Sequence, residues 1–446
     1  MTDFQIYLTI GVFAAVILLI AFDLIDMAVA ALLGVSVLIV FGVLDGSDLI
    51  SIVQTAGGPL ALLFGGMVVA RVIGKTGIFE WLGDVFLRAT GGSGKRFLLL
   101  IVAMLVPVCA FLPNATAVIL VAPIIIGVCR ALKVDFVGPL IITAIVSNAA
   151  GMLTLVGDPA TFLVGSMIGL SFLDYLQMVS LGGLLAVMAV VPLLPRLLPK
   201  IWATRVTLPP ARPRLSIERP AFLALSLLVL LTMVILFLVG ESLPTQIIPP
   251  AVAIIGASLA LLVVYGVRIE PVGDVIRDVD WKTLVFLGAI FTLVQAFVKT
   301  ELLQGLSIQF YLWFGGDFMP VALLSLVGIG VLSSLLANIP VVAAALVMIT
   351  GYLVAAEAVP EIALAAGFTN WPNSTLPVFV AMMFGGTLGG NATLIGASAN
   401  VVAVGICAAQ GERVTFMRFL RIGLPIALAQ LTVGALYVLG LAAILD

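Results

Sequence analysis

Residues 147–161, Ser-Asn-Ala-Ala-Gly-Met-Leu-Thr-Leu-Val-Gly-Asp-Pro-Ala-Thr, interrupt an apolar segment long enough to cross a bilayer. Gly151 and Gly157 permit an unwound backbone, and Asp158 and Pro159 have the residue types of an N-cap and first position of a new helix running through Phe162, Leu163 and Val164. Hydrocarbon offers no water to unpaired N–H and C=O groups, so a break at this depth must line a cavity or be buried in protein. Whatever the chain folds into has to be assembled around that break, which makes it the first candidate site.

The remaining chain reads as further spans. Of 446 residues, 63% are hydrophobic and 9% charged, against roughly 25% charged in soluble domains. The first apolar run, Phe4 to Ala21, has no basic leader and is too long and uniform for a signal peptide, so it reads as a retained span. There is no histidine, which removes the commonest zinc ligand and general base and argues against a membrane metalloenzyme. Cys109, Cys129 and Cys407 lack CxxC spacing and read as packing residues.

In chain order, apolar runs at 5–22, 27–44 and 57–74 are separated by Asp23 to Asp26 and by Asp45 to Thr55. Phe79 to Thr90 mixes Glu80, Trp81, Asp84 and Arg88 with apolar residues, the pattern of a helix lying in the interface. The run from Phe97 to Lys133 is broken at Leu112-Pro113-Asn114-Ala115-Thr116. Its arms are short for tilted full spans at ~1.5 Å per residue, so it reads as a re-entrant hairpin with Asn114 at the tip. The broken helix, 138–168, and a span at 176–195 complete a first half, 1–199. A linker, 200–219, lies within a basic, proline-rich stretch from Arg196 to Pro220 and reads as an extended connection. The second half, 220–446, repeats the plan: spans at 220–240, 248–267 and 282–299, an interfacial stretch at 302–315, a hairpin at 319–356 with Asn338 at its tip, a second broken helix at 378–408, and a last span at 421–445.

Two alignments support an internal repeat. Lys75-Thr76 and Leu112-x-Asn114 match Lys299-Thr300 and Leu336-x-Asn338 at one offset, 224. Gly151-x-x-Thr154-Leu155-x-Gly157-x-x-Ala160 matches Gly390-x-x-Thr393-Leu394-x-Gly396-x-x-Ala399 at an offset of 239. Five crossings and one returning hairpin per half give the halves opposite orientation. Placing the basic linker in the cytoplasm puts both termini outside and every Lys and Arg inside except Lys299, the repeat mate of Lys75. The expected fold is therefore an all-α polytopic membrane protein, an inverted-repeat secondary transporter with about ten membrane crossings, two re-entrant hairpins and two broken helices.

Such a layout converges the breaks and tips near the midplane. It nominates Asn114, Thr116, Asn148, Thr154, Thr161, Asn338, Thr393, Ser398 and Asn400 as substrate-binding residues and Asp158 as the proton-coupling residue. Plainer roles exist for several of them. Asn114, Asn338 and Asp158 also have the types of helix caps, Thr154 and Thr393 can satisfy backbone, and Asn148 suits a bond between helices. Gln295 and Gln430 read as packing contacts.

At Thr154-Leu155-Val156-Gly157-Asp158-Pro159, Phe172-Leu173-Asp174-Tyr175-Leu176 and Gly389 to Val402, the chain resembles the ion transporter superfamily. The similarity covers essentially the whole chain and is closest to the branch of arsenite-efflux permeases (ArsB-like), pink-eyed-dilution-like permeases and NhaD-type sodium/proton antiporters. Asn114 and Asn338 correspond to the family's hairpin tips. Antiporter-like relatives place an Asp before each tip Asn, where this chain has Pro113 and Ala337, and their Gly-Asp-Pro-Pro-Asn is Gly157-Asp158-Pro159-Ala160-Thr161 here. Those losses weaken a sodium site and suit neutral arsenious acid. The resemblance implies proton-coupled efflux of arsenite or antimonite across a bacterial inner membrane, with a sodium/proton antiporter or a dicarboxylate transporter as alternatives. The implied partners are the metalloid solute, protons and the lipid bilayer, with a cytosolic ATPase subunit or a second copy of the chain left open, and neither cofactor nor nucleic acid. No nucleophile–base or carboxylate pair can be placed in the sequence, which speaks against an enzyme.

Overall fold

The computed structural model describes residues 2–21, 24–207, 219–300, 302–336, 338–364 and 368–445, and their regular structure is helical. The first half runs α1 (Asp3–Ala21), α2 (Met27–Val40), α3 (Gly46–Gly74), α4 (Ile78–Thr90), α5 (Gly94–Cys109), α6 (Asn114–Leu132), α7 (Val137–Gly151), α8 (Pro159–Met167) and α9 (Phe172–Leu197). The second half follows the same order: α10 (Pro220–Val239), α11 (Pro249–Val267), α12 (Trp281–Lys299), α13 (Leu302–Phe314), α14 (Phe318–Leu335), α15 (Asn338–Ala355), α16 (Leu376–Gly389), α17 (Ser398–Ala409) and α18 (Phe416–Leu445).

Among the described residues, nine helices are long and apolar enough to cross a membrane. That count includes the hairpin arms α6, α14 and α15 and omits the broken helices, whose halves are individually too short. At 19 residues α6 is longer than the sequence reading allowed, so arm length alone does not make it a hairpin. Depth does. Its tip, Asn114, bonds Asp158 inside the break between α7 and α8, while Arg130 at its other end bonds Gln410 and the following Asp135 pairs with Arg418.

Packing repeats with the element order. α1 packs on α2 as α10 packs on α11; α3 on α11 as α12 on α2; α6 on α17 as α15 on α8; and α7 on α17 as α16 on α8. Ion pairs reveal the relative direction of the mates. Lys75, just past the C-terminal end of α3, pairs with Glu270 ahead of α12 (3.2 Å), and Lys299 at the C-terminal end of α12 pairs with Asp45 ahead of α3 (2.8 Å). Equivalent helices therefore run antiparallel. The pairs Lys282–Asp26, Arg71–Asp278 and Arg418–Asp135 likewise join helix ends to loops that the inverted topology puts on one side.

Two sequence expectations are corrected here. The polar stretch from Asp45 to Thr55 is not a loop, because α3 begins at Gly46 and spans 29 residues. Asp45 accepts from the Ser47 and Asp48 N–H groups, and the Asp48 side chain accepts from the Asp45 N–H, closing a capping box. The Lys299 ammonium beside Asp45 holds its carboxyl well below the usual carboxylate range. This pairing therefore contributes above the unfolded-state pKa of about 3.9 and is lost as the pH falls below it. The linker is also not extended throughout. Its first part forms a short helix, Pro199–Ala203, then docks on the α4–α5 turn, where Gly94 N–H donates to Thr204 C=O (2.9 Å) and Val206 N–H to Gly92 C=O (2.9 Å). Linker residues 208–218 and Ala337 lie outside the described residues.

Candidate transport site at the two helix breaks

Each break is tied to its own hairpin by a threonine. In the first, Thr154 Oγ1 donates to the Ala110 carbonyl of the α5–α6 turn; in the second, Thr393 Oγ1 donates to the Ser334 carbonyl near the α14–α15 turn. The carbonyls freed by unwinding also find donors. Tyr175 OH donates to Met152 C=O (3.0 Å) and Ser180 Oγ to Leu153 C=O (2.6 Å), both from a part of α9 that forms a π-turn over Leu176–Ser180. In the second break, Asn400 Nδ2 donates to the carbonyls of Gly390 (3.0 Å) and Thr393 (2.8 Å). These bonds meet the demand that membrane-depth backbone be satisfied. We expect Thr154→Val and Thr393→Val each to lower stability by about 1–3 kcal/mol, the cost of stranding a buried carbonyl. Unfolding in detergent checks this, with Thr432→Val as a control because that exposed hydroxyl bonds only its own helix.

The two repeats are then latched across the centre. Asn148 on α7 donates to Asn391 Oδ1 (2.8 Å) and Asn400 Oδ1 (3.1 Å) of the second break. Thr387 on α16, which the 239 offset equates with Asn148, donates to Asp158 Oδ2 of the first (2.9 Å). Asn391 passes the network to Gln430 on α18 (2.8 Å), and Gln430 bonds the Ala186 carbonyl of α9 (3.1 Å).

Asp158, 1% exposed, is the focus. Its Oδ1 accepts from Asn114 Nδ2 (2.9 Å), and its Oδ2 accepts from Thr161 N–H (3.0 Å) and Thr387 Oγ1 (2.9 Å). It caps α8 as the sequence implied, and the helix N-terminus and these donors all favour negative charge there. Close glycine contacts make the arrangement possible. A Cβ on Gly151 would stand 2.2 Å from Asn114 Oδ1, and one on Gly157 would stand 2.4 and 2.5 Å from the carbonyl oxygens of Gly151 and Cys109.

Of the residues nominated from sequence, Asn114, Asn148, Thr154, Asp158, Thr161, Asn338, Thr393 and Asn400 are buried at the breaks and tips. Thr116 is half-buried in the first turn of α6, and Ser398 is exposed at the start of α17. Thr161 Oγ1 donates to the Asp158 carbonyl (3.1 Å), and the Asn338 N–H donates to the Gly396 carbonyl (3.1 Å). One role changes. Asn114 is not the cap of α6, because Pro113 occupies that position and the amide is left free to reach Asp158. Thr387, Asn391 and Tyr175 were not singled out from sequence as site residues. The 239 offset that equates Thr387 with Asn148 was a signal for the first, whereas the other two depend on contacts between distant segments. Cys109, Cys129 and Cys407 are buried and free, in keeping with packing roles.

Antiparallel halves, paired hairpins and two broken helices meeting at the centre define a membrane transporter of the secondary type. Residues 17–369 match the CitMHS model, described as citrate transporter, and the chain belongs to that family within the ion transporter superfamily. It is 42% identical over 432 residues to an uncharacterized transporter of Synechocystis, covering 96% of each chain. It is 30% identical over 432 residues to an uncharacterized transporter of Mycobacterium tuberculosis, again covering 96% of each. Similarity to the human P protein is 27% identity, covering 98% of this chain and 60% of that protein. The fold is similar to the crystal structure of the Alcanivorax borkumensis YdaH transporter, with a TM-score of 0.58 and 14% identity, over 87% of this chain and 86% of that one.

Proposed function

We propose that this chain is a proton-coupled secondary transporter with Asp158 as its coupling group, and that its solute is a small hydroxyl-bearing molecule, arsenite or antimonite exported from the cytoplasm being the leading case. The observation that carries this is the triple attachment of Asp158. Hairpin one, the first turn of α8 and the second repeat all donate to the same carboxylate, so a proton arriving there acts on three elements at once. The other nominated side chains are uncharged amides and hydroxyls. They suit a neutral solute that donates and accepts hydrogen bonds, whereas an anion entering beside ionised Asp158 is opposed by its charge.

A second solute class has its own support. The family description names citrate, and α17 begins at exposed Ser398 behind Ala397, which supplies no capping side chain. An uncapped helix N-terminus is suited to a carboxylate. Everted vesicles given a pH gradient and no nucleotide separate the cases. Arsenite accumulation supports the leading case, citrate accumulation the second, and sodium-dependent proton release a sodium/proton antiporter; nucleotide dependence would point to an ATPase subunit. No pH-dependent flux of any of these would remove the coupling assignment.

The orientation is proposed with the basic linker in the cytoplasm. Single cysteines introduced at 205–217 should label with an impermeant reagent only from the cytoplasm, and one at residue 2 only from outside. The three native cysteines are buried and give little background. Linker labelling from outside would invert the assignment.

A further inference from the structure

The two polar atoms of the Asn114 side chain are in unequal positions. Nδ2 donates to Asp158 Oδ1 (2.9 Å), while Oδ1 is buried and has no hydrogen-bond partner among the described residues. The residue as a whole is 4% exposed, so water does not make up the deficit freely. Buried acceptors are rarely left in this state. The orphaned oxygen lies over Gly151, close to where the Gly151 and Cys109 carbonyls converge on Gly157.

The chemistry of the partner sets the amide's orientation. An ionised carboxylate only accepts, so Asn114 must offer its NH₂ group. A proton placed on Asp158 Oδ1 turns that atom into a donor that faces another donor. Oδ2 can keep Thr161 N–H and Thr387 Oγ1, so the conflict falls on Asn114 alone. A half-turn about the Cβ–Cγ bond exchanges oxygen and nitrogen with almost no change of shape, as the near-equivalence of the two amide orientations allows. Oδ1 then accepts the new O–H, and the NH₂ takes the orphan's place over Gly151.

We propose that the Asn114 amide is a reversing element, which presents an acceptor to the first break when Asp158 is ionised and a donor when it is protonated. This rests on the coupling role of Asp158 proposed above and adds how the proton is read. A solute hydroxyl finds its acceptor only while the proton is absent, so solute and proton alternate at one place. The proton enters from water on the open side, resides as the O–H of Asp158 and returns to water on the other side; no other covalent bond changes. The titratable groups on the elements around Asp158 are Cys109 ending α5 with Lys95 and Arg96 at its far end, Cys129 and Arg130 toward the far end of α6, Asp174, Tyr175 and Arg196 on α9, Tyr352 near the far end of α15, and Asp48 and Arg71 at opposite ends of α3; α7, α8 and α16 carry none. The device is one-sided, because Ala397 occupies the equivalent place opposite Asn338.

Infrared difference spectra of the reconstituted protein in acid and alkaline buffer, with isotope-labelled asparagine, test it. The parent should show a carboxyl band on acidification together with a shift of one asparagine amide band. Asp158→Asn should lose both, Asn114→Ala should keep the carboxyl band and lose the amide shift, and Asn338→Ala should keep both. Should Asn114→Ala fail to fold, Asn114→Ser supplies the same comparison, since its hydroxyl both donates and accepts but gives no amide signal. An amide shift that survives removal of Asn114, or a carboxyl band without any amide shift in the parent, would overturn the reversal while leaving Asp158 as the coupling group. Absence from the parent of a carboxyl band dependent on Asp158 would remove both proposals.

Discussion

Asp158→Asn should fail to concentrate arsenite when a pH gradient is the driving force, and whatever arsenite it binds should no longer vary with pH. Asparagine keeps the shape and can still cap α8 through its side-chain oxygen, so Thr161 N–H retains an acceptor. What it cannot do is take up and release a proton. With one proton exchanged per solute, each pH unit supports at most about tenfold accumulation, since about 1.4 kcal/mol corresponds to a factor of ten. The parent should approach that ratio and the variant should stay near one. Gradient-driven uptake in vesicles, beside equilibrium binding to purified protein, measures both quantities. Equal accumulation by parent and variant would leave Asp158 as a helix cap only.

Gly157→Ala should abolish transport and destabilise the protein. The added Cβ would meet the carbonyl oxygens of Gly151 and Cys109 and the Gly151 Cα at 2.4 to 2.9 Å. These are backbone atoms of the break and of hairpin one, which cannot swing aside as a flexible side chain would. Overpacking of this kind costs about 1–3 kcal/mol or more. Gly396→Ala should behave alike, since its Cβ would meet the Gly390 oxygen at 2.4 Å. Gly405→Ala is the contrasting variant. It has open space within α17, so removing a helix-interior glycine should stabilise by up to about 1 kcal/mol. Thermal unfolding in detergent and flux in vesicles report the two effects separately.

The parts of this fold that punctuation dictates are legible in the sequence. Glycine pairs, Asp158-Pro159 and the tip asparagines mark both breaks and both hairpins to within a few residues of their observed bounds. The start of α3 was not legible, because Ser47, Asp48 and their neighbours have loop composition; only Lys299, far along the chain, shows why two acids can open a helix there. The latches between repeats were hidden for the same reason. Asn148 reads from the sequence as bonding another helix, but its partner Asn391 and the pairing of Thr387 with Asp158 span 243 and 229 residues, and nothing local names those partners. Asn114 shows the limit most clearly. Its residue type suits a helix cap, and only the presence of Pro113 in that place turns its amide toward Asp158.

The π-turn at Leu176–Ser180 gives α9 a fixed length. Such a turn takes in one residue more than an α-turn, which rotates everything beyond it by about 100° relative to an uninterrupted helix. That rotation is what lets Tyr175, just before the turn, and Ser180, its last residue, reach the consecutive carbonyls of Met152 and Leu153. The matching helix α18 is α-helical throughout its described length, and the second break uses Asn400 from its own α17 instead. Loss of a single codon within 176–180 would restore regular helix and throw one donor out of phase, whereas loss of a codon from a surface loop would be absorbed. Divergent copies of this chain should therefore vary in length at their loops and keep count through α9.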